Sequence, residues 1–307
     1  MKKIFIDGSA GTTGLRIRER LAERHDIEVI TLSEEMRKDT KARREALNAS
    51  DIAFLCLPDA AAIEAVGLVD NPNTAIIDTS TAHRTNPDWT YGFPELAGMR
   101  EKIAASKRIA NPGCHASGFV ALISPLVKAG IIDKSASLVC FSITGYSGGG
   151  KKMIAEYEEE GRCVLLDSPR QYALSQEHKH LKEMAALSGL DKFPVFSPIV
   201  SDFYSGMQVS VGLHGSDIEG TLEDIKKVYR EVYDTPIVKF CDTPTDTGFL
   251  ASGELSMNDG MQICAFGNND RIMLTSRFDN LGKGASGAAV QNMNILLGVD
   301  ETLGLVI

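Results

Sequence analysis

Hydrophobic and polar residues alternate along the first third of the chain in the pattern of a βαβ fold. Residues 2–6, 51–57 and 74–78 form short apolar runs, which are typical of strands buried on both faces of a parallel sheet. The stretches between these runs carry apolar residues at i, i+3 and i+4, which predicts amphipathic helices. Because strands and helices alternate in this way as far as Ala110, we predict an α/β fold with a mostly parallel sheet of Rossmann type.

The pattern changes beyond Gly130, where strands no longer alternate regularly with helices. Residues 193–200 and 206–213 have the pattern of antiparallel strands, and residues 259–266 and 270–277 predict a hairpin. These segments predict a second domain of the α+β class, in which helices cover an antiparallel sheet.

The chain closes with a glycine-rich turn and an apolar helix at residues 288–297. We expect this C-terminal helix to return to the first domain. The predicted first domain therefore combines residues 1–114 with residues 284–307, and residues 115–283 form the predicted second domain.

Three glycines follow the first strand and precede a predicted helix. Gly8, Gly11 and Gly14 would allow a tight turn, close approach of the backbone to a pyrophosphate, and free N–H groups at a helix N-terminus. A plain turn is the alternative, but the position after the first strand of a βαβ unit favours a dinucleotide site. The cofactor-binding residues predicted in this turn are Gly8, Ser9, Gly11, Thr12, Thr13 and Gly14.

The residues at the end of the second strand indicate whether the first domain binds NAD or NADP. A carboxylate there would bind the ribose hydroxyls of NAD, whereas cationic side chains would receive the 2′-phosphate of NADP. Ser33, Arg37 and Lys38 favour NADP, Glu34 favours NAD, and a solvated helix start is the third interpretation. We predict NADP. Further cofactor contacts are predicted at the same sheet edge and on the closing helix, from Leu57, Pro58, Ser80, Gln291 and Asn292.

The sequence around Cys114 predicts a reactive thiol. Asn111, Pro112 and Gly113 form a turn after a short strand, and apolar residues at helical spacing follow as far as Gly130. The thiol would lie in the first turn of that helix, where unpaired N–H groups and the helix dipole favour the nucleophilic thiolate. A buried structural cysteine is the alternative.

Two histidines, His178 and His180, offer an acid–base group in the second domain. Glu183 follows His180 by three positions, so the carboxylate and the imidazole can share one helical face, although an ordinary surface or core histidine is the alternative. A flexible, glycine-rich loop at residues 144–150, before Lys152, could form an anion-binding concavity, and a plain connector is the alternative there. The residues predicted to bind the anionic substrate are Arg84, Ser147, Gly148, Gly149 and Lys152.

Composition narrows the possible function classes. The 307 residues are 43% hydrophobic and 24% charged, as in globular domains with well-formed cores, and the net charge of −9 disfavours nucleic-acid and membrane surfaces. The six cysteines show no C-x-x-C spacing, and His178 and His180 lack the i, i+4 spacing of a helical zinc pair. We therefore predict neither a metal site nor a disulfide framework. No apolar run of ~18 residues occurs, so we expect a cytoplasmic protein without a membrane span.

Together these motifs resemble the N-acetyl-γ-glutamyl-phosphate reductase family, in particular its shorter branch. The resemblance runs nearly from end to end of the chain. It rests on GSAGTTG at residues 8–14, LCLPD at 55–59, DTSTAHR at 78–84, YGFPE at 91–95, NPGC at 111–114, HKHLKEM at 178–184 and KGASGAAVQNMN at 283–294.

The resemblance implies that Cys114 is the nucleophile and His180 the acid–base group. The spacing of three residues from His180 to Glu183 makes that carboxylate the candidate that orients the imidazole. It also implies that the cofactor is NADP and that the enzyme is a homo-oligomer, a dimer or a tetramer. The expected substrates are an acyl phosphate, or in the reverse direction a semialdehyde and phosphate. The first domain would then bind NADP, and the second would carry catalysis and oligomerisation.

Two positions depart from the family pattern. His115 replaces the Tyr that usually follows the cysteine, which we expect to matter little because the cysteine turn is intact. Ala288 stands where the larger branch often has Gln, which leaves Gln291 and Asn292 as candidate nicotinamide contacts. Aspartate-semialdehyde dehydrogenase, a related acyl-phosphate reductase and a non-catalytic NADP-binding redox sensor are the competing interpretations. The sensor would have no use for both Cys114 and His180.

Overall fold

A computed structural model describes residues 1–244 and 247–307. The strands are β1 (Lys2–Asp7), β2 (Ile27–Ile30), β3 (Ile52–Leu55), β4 (Ala75–Asp78), β5 (Thr90–Tyr91), β6 (Arg108–Ala110), β7 (Val139–Gly145), β8 (Arg170–Gln171), β9 (Val195–Ser201), β10 (Met207–His214), β11 (Val238–Phe240), β12 (Met261–Gly267) and β13 (Arg271–Phe278). The helices are α1 (Thr12–Leu21), α2 (Thr40–Ala49), α3 (Asp59–Val66), α4 (Met99–Ala105), α5 (Cys114–Lys128), α6 (Gly150–Glu158), α7 (His180–Ser188), α8 (Leu222–Val232) and α9 (Gly287–Leu297).

The chain divides into two units. Unit 1 comprises Met1–Pro94, Gly98–Pro112 and Ala285–Leu305. Unit 2 comprises Glu95–Ala97, Gly113–Gly284 and Val306–Ile307. The closing helix α9 belongs to unit 1.

Unit 1 is built on a parallel sheet with the strand order β2-β1-β3-β4-β6-β5. Alternate residues of its strands enter two separate cores because the side chains of a strand point to opposite faces. Ile4 and Phe54 pack with α1 and with Met293 of α9 on one face, whereas Phe5 and Ile76 pack with α2 and α3 on the other. The predicted Rossmann-type fold is confirmed.

The glycine turn after β1 lies where the strand order changes direction, between β1 and β3. In open α/β sheets, ligands bind outside the carboxyl ends of the strands at such a point. Gly8 has a φ of +86°, and a Cβ on it would lie 2.2 Å from the carbonyl oxygen of Cys56, so only glycine fits. The turn therefore brings unobstructed backbone to the N-terminus of α1.

Unit 2 contains a mixed sheet with the order β11-β12-β13-β10-β7-β9-β8. The predicted hairpin of β12 and β13 is confirmed, and β10 is antiparallel to both β13 and β7. The prediction that residues 193–200 form an antiparallel strand is wrong for the main pairing of β9, which runs parallel to β7. The connection from β7 to β9 contains residues 146–179 and α7. This connection is long enough for the crossover that a parallel pair of strands requires.

Helix α5 packs against this sheet and contains a proline in its interior. Pro125 has no N–H to give to the carbonyl of Ala121 four residues earlier. The buried hydroxyl of Tyr233 donates to that carbonyl at 2.6 Å, and Tyr229 donates to the carbonyl of Leu122 at 2.7 Å. These two bonds, each contributing about 1 kcal/mol to stability, hold the helix that begins at Cys114.

The glycine-rich segment after β7 is more ordered than the sequence predicts. The predicted flexible loop at residues 144–150 continues β7 as far as Gly145, forms a 3-10 turn at Tyr146–Gly149 and starts α6 at Gly150. Backbone N–H groups of Tyr146 and Ser147 donate to the carbonyls of Phe203 and Tyr204, which fixes the turn against the segment before β10. Across residues 1–244 and 247–307, no helix is both long and apolar enough to cross a membrane.

Candidate active site

Cys114 is the first residue of α5, as the sequence predicts, and its side chain is partly exposed. Gly113 is the N-cap residue, with extended backbone, and its carbonyl accepts from the N–H of Ser117 at 2.8 Å. The first N–H groups of α5 thus surround the start of the helix where the thiol lies. This placement excludes the alternative of a fully buried structural cysteine and provides the partly positive environment that favours a thiolate.

The carboxylate of Glu183 fixes the turn before the cysteine. Its Oε1 accepts a hydrogen bond from the backbone N–H of Gly113 at 2.8 Å, and the side chain is buried on α7. A buried carboxylate bonded to backbone N–H groups is held rigidly because leaving it unpaired would be costly. The bond shows that Glu183 contacts the cysteine turn, and its predicted role as a partner of His180 stays a prediction.

A second segment of unit 2 approaches the cysteine closely. A Cβ on Gly284 would lie 3.0 Å from the Cβ of Cys114 and 3.0 Å from the carbonyl oxygen of Asp279. The preceding residue, Lys283, is buried and forms an ion pair with Glu95, with Nζ–Oε distances of 2.7 and 2.9 Å. A larger residue at position 284 would therefore press on the cysteine, because the ion pair prevents the segment from moving away.

The histidines lie in the same part of unit 2. His180 begins α7 and is buried, and its backbone N–H donates to Nδ1 of His178 at 3.1 Å. The two rings meet edge to face with centroids 4.8 Å apart. Burial, and secondarily the charge of Lys179, lowers the pKa of His178 to about 4, so that ring is neutral near pH 7.

Two residues beside these histidines, His115 and Tyr172, are absent from the site that the sequence predicts. Both ring nitrogens of His115 are bonded: Nδ1 lies 2.6 Å from Oγ of Ser142, and Nε2 lies 2.7 Å from the hydroxyl of Tyr172. The His115 ring also packs against His178 and His180, at centroid distances of 5.7 and 5.6 Å. Only a histidine directly after the predicted nucleophile could have drawn attention to this arrangement in the sequence.

The predicted substrate-binding residues have different environments. Arg84 is buried in unit 1, where Nε donates to the carbonyl of Asn111 at 3.0 Å and Nη2 to that of Thr79 at 2.9 Å. Ser147 is buried and accepts from Nδ2 of Asn280 at 2.9 Å. Gly148, Gly149 and Lys152 are exposed. The geometry thus gives Arg84 and Ser147 structural contacts, and their predicted role toward substrate stays a prediction.

A cavity of about 580 Å³ opens beside the glycine turn of unit 1. Gly8, Ser9, Leu57, Arg37 and Lys38 of the predicted cofactor set line it. Glu34, which the sequence analysis weighed as an NAD-binding carboxylate, also lines it. Sequence reasoning missed the remaining charged and polar side chains of its wall, which are Asp7, Arg18, Thr31, Thr40, Arg43 and Glu64. Asp7 directly precedes the glycine turn, whereas the other five lie apart from the turn along the chain.

Two of the residues in the cavity wall, Asp7 and Arg43, form an ion pair. Nη2 of Arg43 lies 2.9 Å from Oδ2 of Asp7, and both side chains are buried. Arg43 is thereby neutralised at the end of β1. Arg37 and Lys38 lie in the 3-10 turn Met36–Lys38 after β2 and line the same cavity, and their predicted role toward a 2′-phosphate stays a prediction.

The other predicted cofactor residues are distributed along the same sheet edge. Gly11 is the N-cap of α1, which contains Thr12, Thr13 and Gly14, and Pro58 is the N-cap of α3. The carbonyl of Ser33 accepts from the N–H groups of Met36 and Arg37 at 3.1 Å each. The hydroxyl of Ser80 donates to the carboxylate of Asp78 at 2.7 Å.

The two candidate residues of α9 differ in their bonding. Nε2 of Gln291 donates to Oε2 of Glu301 at 2.9 Å, which ties it to the C-terminal segment. Nδ2 of Asn292 donates to the carbonyl of Gly92 at 2.9 Å and to Oδ1 of Asn111 at 3.1 Å. Within the described part of the chain, Oδ1 of Asn292 is buried and accepts no hydrogen bond. Of the two side chains, Asn292 therefore offers an acceptor that a carboxamide could use.

Comparison with known proteins agrees with this geometry. The family model described as "Semialdehyde dehydrogenase, NAD binding domain" matches residues 3–106, and "Semialdehyde dehydrogenase, dimerisation domain" matches residues 114–280. Relatives from Brucella ovis and Brucella melitensis, both named N-acetyl-gamma-glutamyl-phosphate reductase, are 46% identical to the chain over 96% of its length and 99% of theirs.

Solved structures show the same fold at much lower identity. Aspartate semialdehyde dehydrogenase II from Vibrio cholerae, complexed with ASA, has a TM-score of 0.72 and is 15% identical over 97% of this chain and 98% of its own. Aspartate semialdehyde dehydrogenase from Francisella tularensis has a TM-score of 0.72 and is 15% identical over 97% of this chain and 100% of its own.

The NAD-binding fold and the thiol-bearing second unit define the chain as an oxidoreductase of the semialdehyde dehydrogenase class. Within that class, the chain belongs to the N-acetyl-γ-glutamyl-phosphate reductase family. The predicted resemblance, fold class and nicotinamide cofactor are confirmed at this level.

Proposed function

We propose that the protein reduces N-acetyl-L-glutamyl 5-phosphate to N-acetyl-L-glutamate 5-semialdehyde and phosphate with NADPH, as a step of arginine biosynthesis. The observation that carries the proposal is the thiol of Cys114 at the N-terminus of α5, in a chain that is 46% identical over 96% of its length to reductases of that name. The proposed location is the cytoplasm, where thiols remain reduced.

The chemistry begins at the sulfur. The thiolate of Cys114 attacks the acyl carbon, a C–S bond forms, and the C–O bond to phosphate breaks as phosphate leaves with the electron pair. The N–H groups of the first turn of α5 stabilise the thiolate, and Glu183 holds the turn through Gly113. The product of this step is a thioester on Cys114.

The second step reduces that thioester. When bound, NADPH supplies the hydride that the carbonyl carbon receives. His180 is assigned the acid–base role: it accepts the thiol proton before attack and donates a proton to the carbonyl oxygen during reduction. The hydroxyl of the resulting hemithioacetal then returns its proton to His180 as the C–S bond breaks with its electron pair on sulfur, which releases the semialdehyde and returns the thiolate of Cys114.

A substrate panel tests this function. In the reverse direction, N-acetylglutamate semialdehyde should support NADP reduction that depends on added phosphate. Aspartate semialdehyde should be a poor substrate under the same conditions. A preference for aspartate semialdehyde would indicate that the protein is an aspartate-semialdehyde dehydrogenase. Reduction of NADP without added phosphate would contradict the acyl-phosphate chemistry.

The residues of unit 1 fit a dinucleotide phosphate. The turn at Gly8 and the N-terminus of α1 would receive the pyrophosphate, and the cavity beside them would receive the adenosine end. Arg37 and Lys38 would bind the 2′-phosphate. The buried acceptor of Asn292 would take the carboxamide N–H of the nicotinamide. With these roles, the NAD-binding domain would bind NADP in preference to NAD.

Replacing both Arg37 and Lys38 with alanine tests that preference. The KM for NADPH should rise about ten- to hundredfold because charge-assisted hydrogen bonds to the 2′-phosphate are lost. The KM for NADH should change little, since NADH lacks that phosphate. Steady-state kinetics with both cofactors provides the measurement, and Lys41→Ala, an exposed cation of α2 outside the cavity wall, is the matched control. An equal rise in the KM for both cofactors would show that Arg37 and Lys38 do not recognise the 2′-phosphate.

We also propose that unit 2 forms the homo-oligomer through an exposed face of its sheet. Val139, Phe141, Val195 and Met273 are 41%, 52%, 57% and 45% exposed. The strand registers place these four side chains on one face of β9, β7, β10 and β13. Exposed apolar side chains gathered on one face of a sheet are typical of protein interfaces. The dimerisation-domain model covers all of these strands, which makes a second copy of this chain the proposed occupant.

Phe141→Asp should dissociate the oligomer because a buried, unpaired carboxylate would be introduced into the interface. Light scattering coupled to size-exclusion chromatography should report a lower molar mass at micromolar concentration. Ile63→Asp, on α3 of unit 1, introduces the same charge at another exposed apolar residue and should leave the mass unchanged. An unchanged mass for Phe141→Asp would exclude this face.

A further inference from the structure

Unit 2 contains a buried ion pair that the proposed mechanism does not use. The ammonium of Lys283 lies 2.9 and 2.7 Å from the two carboxylate oxygens of Glu95, and the two side chains are 1% and 0% exposed. Glu95 is the first of three residues, Glu95–Ala97, that belong to unit 2 although the chain on both sides of them belongs to unit 1. The ion pair joins this short stretch to the segment of residues 279–284.

The other end of that segment is fixed by the buried carboxylate of Asp279. Its Oδ1 accepts hydrogen bonds from the backbone N–H groups of Leu281 and Gly282, at 2.7 and 2.8 Å. Its Oδ2 accepts from the hydroxyl of Ser205 at 2.6 Å and from the backbone N–H of Met257 at 2.7 Å. The segment is therefore anchored at its start by these hydrogen bonds and near its end by the ion pair.

The anchored segment lies against the nucleophile. A Cβ on Gly284 would lie 3.0 Å from the Cβ of Cys114, so the backbone at Gly284 is within van der Waals range of the cysteine side chain. The thiol can rotate about the Cα–Cβ bond among three staggered positions, and a fixed neighbour at this distance restricts that rotation. Restriction matters because a reacting atom misplaced by about 1 Å can slow a reaction by roughly 10²-fold.

The ion pair differs in its effect from ordinary core packing. Two charges moved out of water lose hydration that their mutual attraction offsets only in good geometry, so apolar residues of similar volume often stabilise a fold equally well. The hydrophobic effect is non-directional, whereas charge-assisted hydrogen bonds fix the ammonium in one place. What the pair adds over apolar packing is a fixed position for residue 283, and hence for the glycine that follows it.

We propose that Glu95 and Lys283 are positioning residues for the nucleophile. Their ion pair holds Gly284 against Cys114, and the thiol is thereby kept in one rotamer for attack on the acyl carbon. The effect on the reaction rate rests on the proposed function, whereas the single rotamer exists in the enzyme without substrate. Neither charged group makes a bond to the substrate or moves a proton, so the pair acts on the rate of thioester formation and not on the binding of NADPH.

The double variant Glu95→Met/Lys283→Met tests the proposal, because it removes both charges and leaves apolar side chains of similar length. Its Tm should stay close to that of the wild type. Phosphate release on mixing with N-acetylglutamyl phosphate should nevertheless slow by about ten- to hundredfold, while the Kd for NADPH is unchanged. Crystal structures of the substrate-free proteins should show Cys114 in one rotamer in the wild type and in two or more in the double variant.

The single variants show how a purely structural ion pair would behave. Glu95→Met and Lys283→Met each leave one buried charge without its partner, so each should lower the Tm. If the pair served stability alone, the rate of phosphate release would follow the Tm, and the double variant would recover both. The proposal predicts that the double variant recovers the Tm but not the rate.

Gly284→Ala alters the contact with Cys114 directly. The added methyl group should displace the thiol from its wild-type rotamer and slow phosphate release by about ten- to hundredfold. Gly253→Ala is the matched control, because a Cβ there would meet its nearest non-neighbouring atoms at 3.9 Å. The control for the charges is Lys226→Met/Asp242→Asn, which removes a partly exposed ion pair of unit 2 with an Nζ–Oδ1 distance of 2.7 Å. Both controls should retain the wild-type rate and a single Cys114 rotamer.

A double variant that releases phosphate at the wild-type rate would overturn the proposal, as would one that keeps Cys114 in the wild-type rotamer alone. The rotamer is observed without substrate, so it tests positioning even if the wild-type enzyme does not react with N-acetylglutamyl phosphate. That failure would reject the proposed function, whereas an unchanged rotamer in the double variant would reject the positioning role.

Discussion

Replacing Cys114 with alanine should reduce phosphate-dependent NADP reduction by about 10⁴-fold or more, because the thioester pathway requires the sulfur. NADPH binding should be retained, since the proposed cofactor contacts lie in unit 1 and the substitution lies in unit 2. Steady-state kinetics gives the first quantity, and fluorescence titration with NADPH gives the second.

The matched control for this prediction is Cys163→Ala. Cys163 is exposed and has no place in the proposed site, so its replacement should leave turnover unchanged. Appreciable turnover by Cys114→Ala would show that the acyl group is reduced without a covalent intermediate. Loss of turnover in both variants would indicate a general effect of thiol removal, and the assignment of the nucleophile would fail.

Replacing His180 with asparagine should slow turnover by about 10²- to 10⁴-fold, the usual contribution of general acid–base catalysis. Both thioester formation and its reduction should be slower, because the imidazole is proposed to move a proton in each. Rapid-mixing measurements of phosphate release and of NADPH oxidation separate the two steps.

The neighbouring histidine provides the comparison for His180. The pKa of His178 is lowered to about 4 by burial, and its Nδ1 accepts the backbone N–H of His180. His178→Asn should therefore affect turnover less than His180→Asn, through the position of His180 alone. The reverse order of effects would transfer the acid–base role to His178, and near-normal rates in His180→Asn would remove that residue from the mechanism.

Local patterns were sufficient to predict most elements of the fold. The nearly continuous apolar runs of β3 and β4 and the helical spacing after Cys114 depend only on neighbouring residues. The parallel pairing of β9 with β7 was mispredicted because partner choice depends on the crossover formed by α6 and α7. A short strand has the same sequence pattern in either orientation.

The site was predictable in part for the same reason. A turn followed by a helix places Cys114 at a helix N-terminus whatever the rest of the chain does. The bond from Gly113 to Glu183 joins residues 70 positions apart, and that from His115 to Tyr172 joins residues 57 positions apart. Such contacts are products of tertiary packing, so the sequence supplies the residues but not the pairs.

The measurement that tests the central claim most directly is the mass of the enzyme after acylation. The wild-type protein is mixed with N-acetylglutamyl phosphate in the absence of reduced nicotinamide cofactor, then quenched in acid and digested. The account predicts one equivalent of phosphate released per site and a Cys114 peptide heavier by one N-acetylglutamyl group, which hydroxylamine removes. Phosphate release without an adduct, or an adduct on a residue other than Cys114, would contradict it.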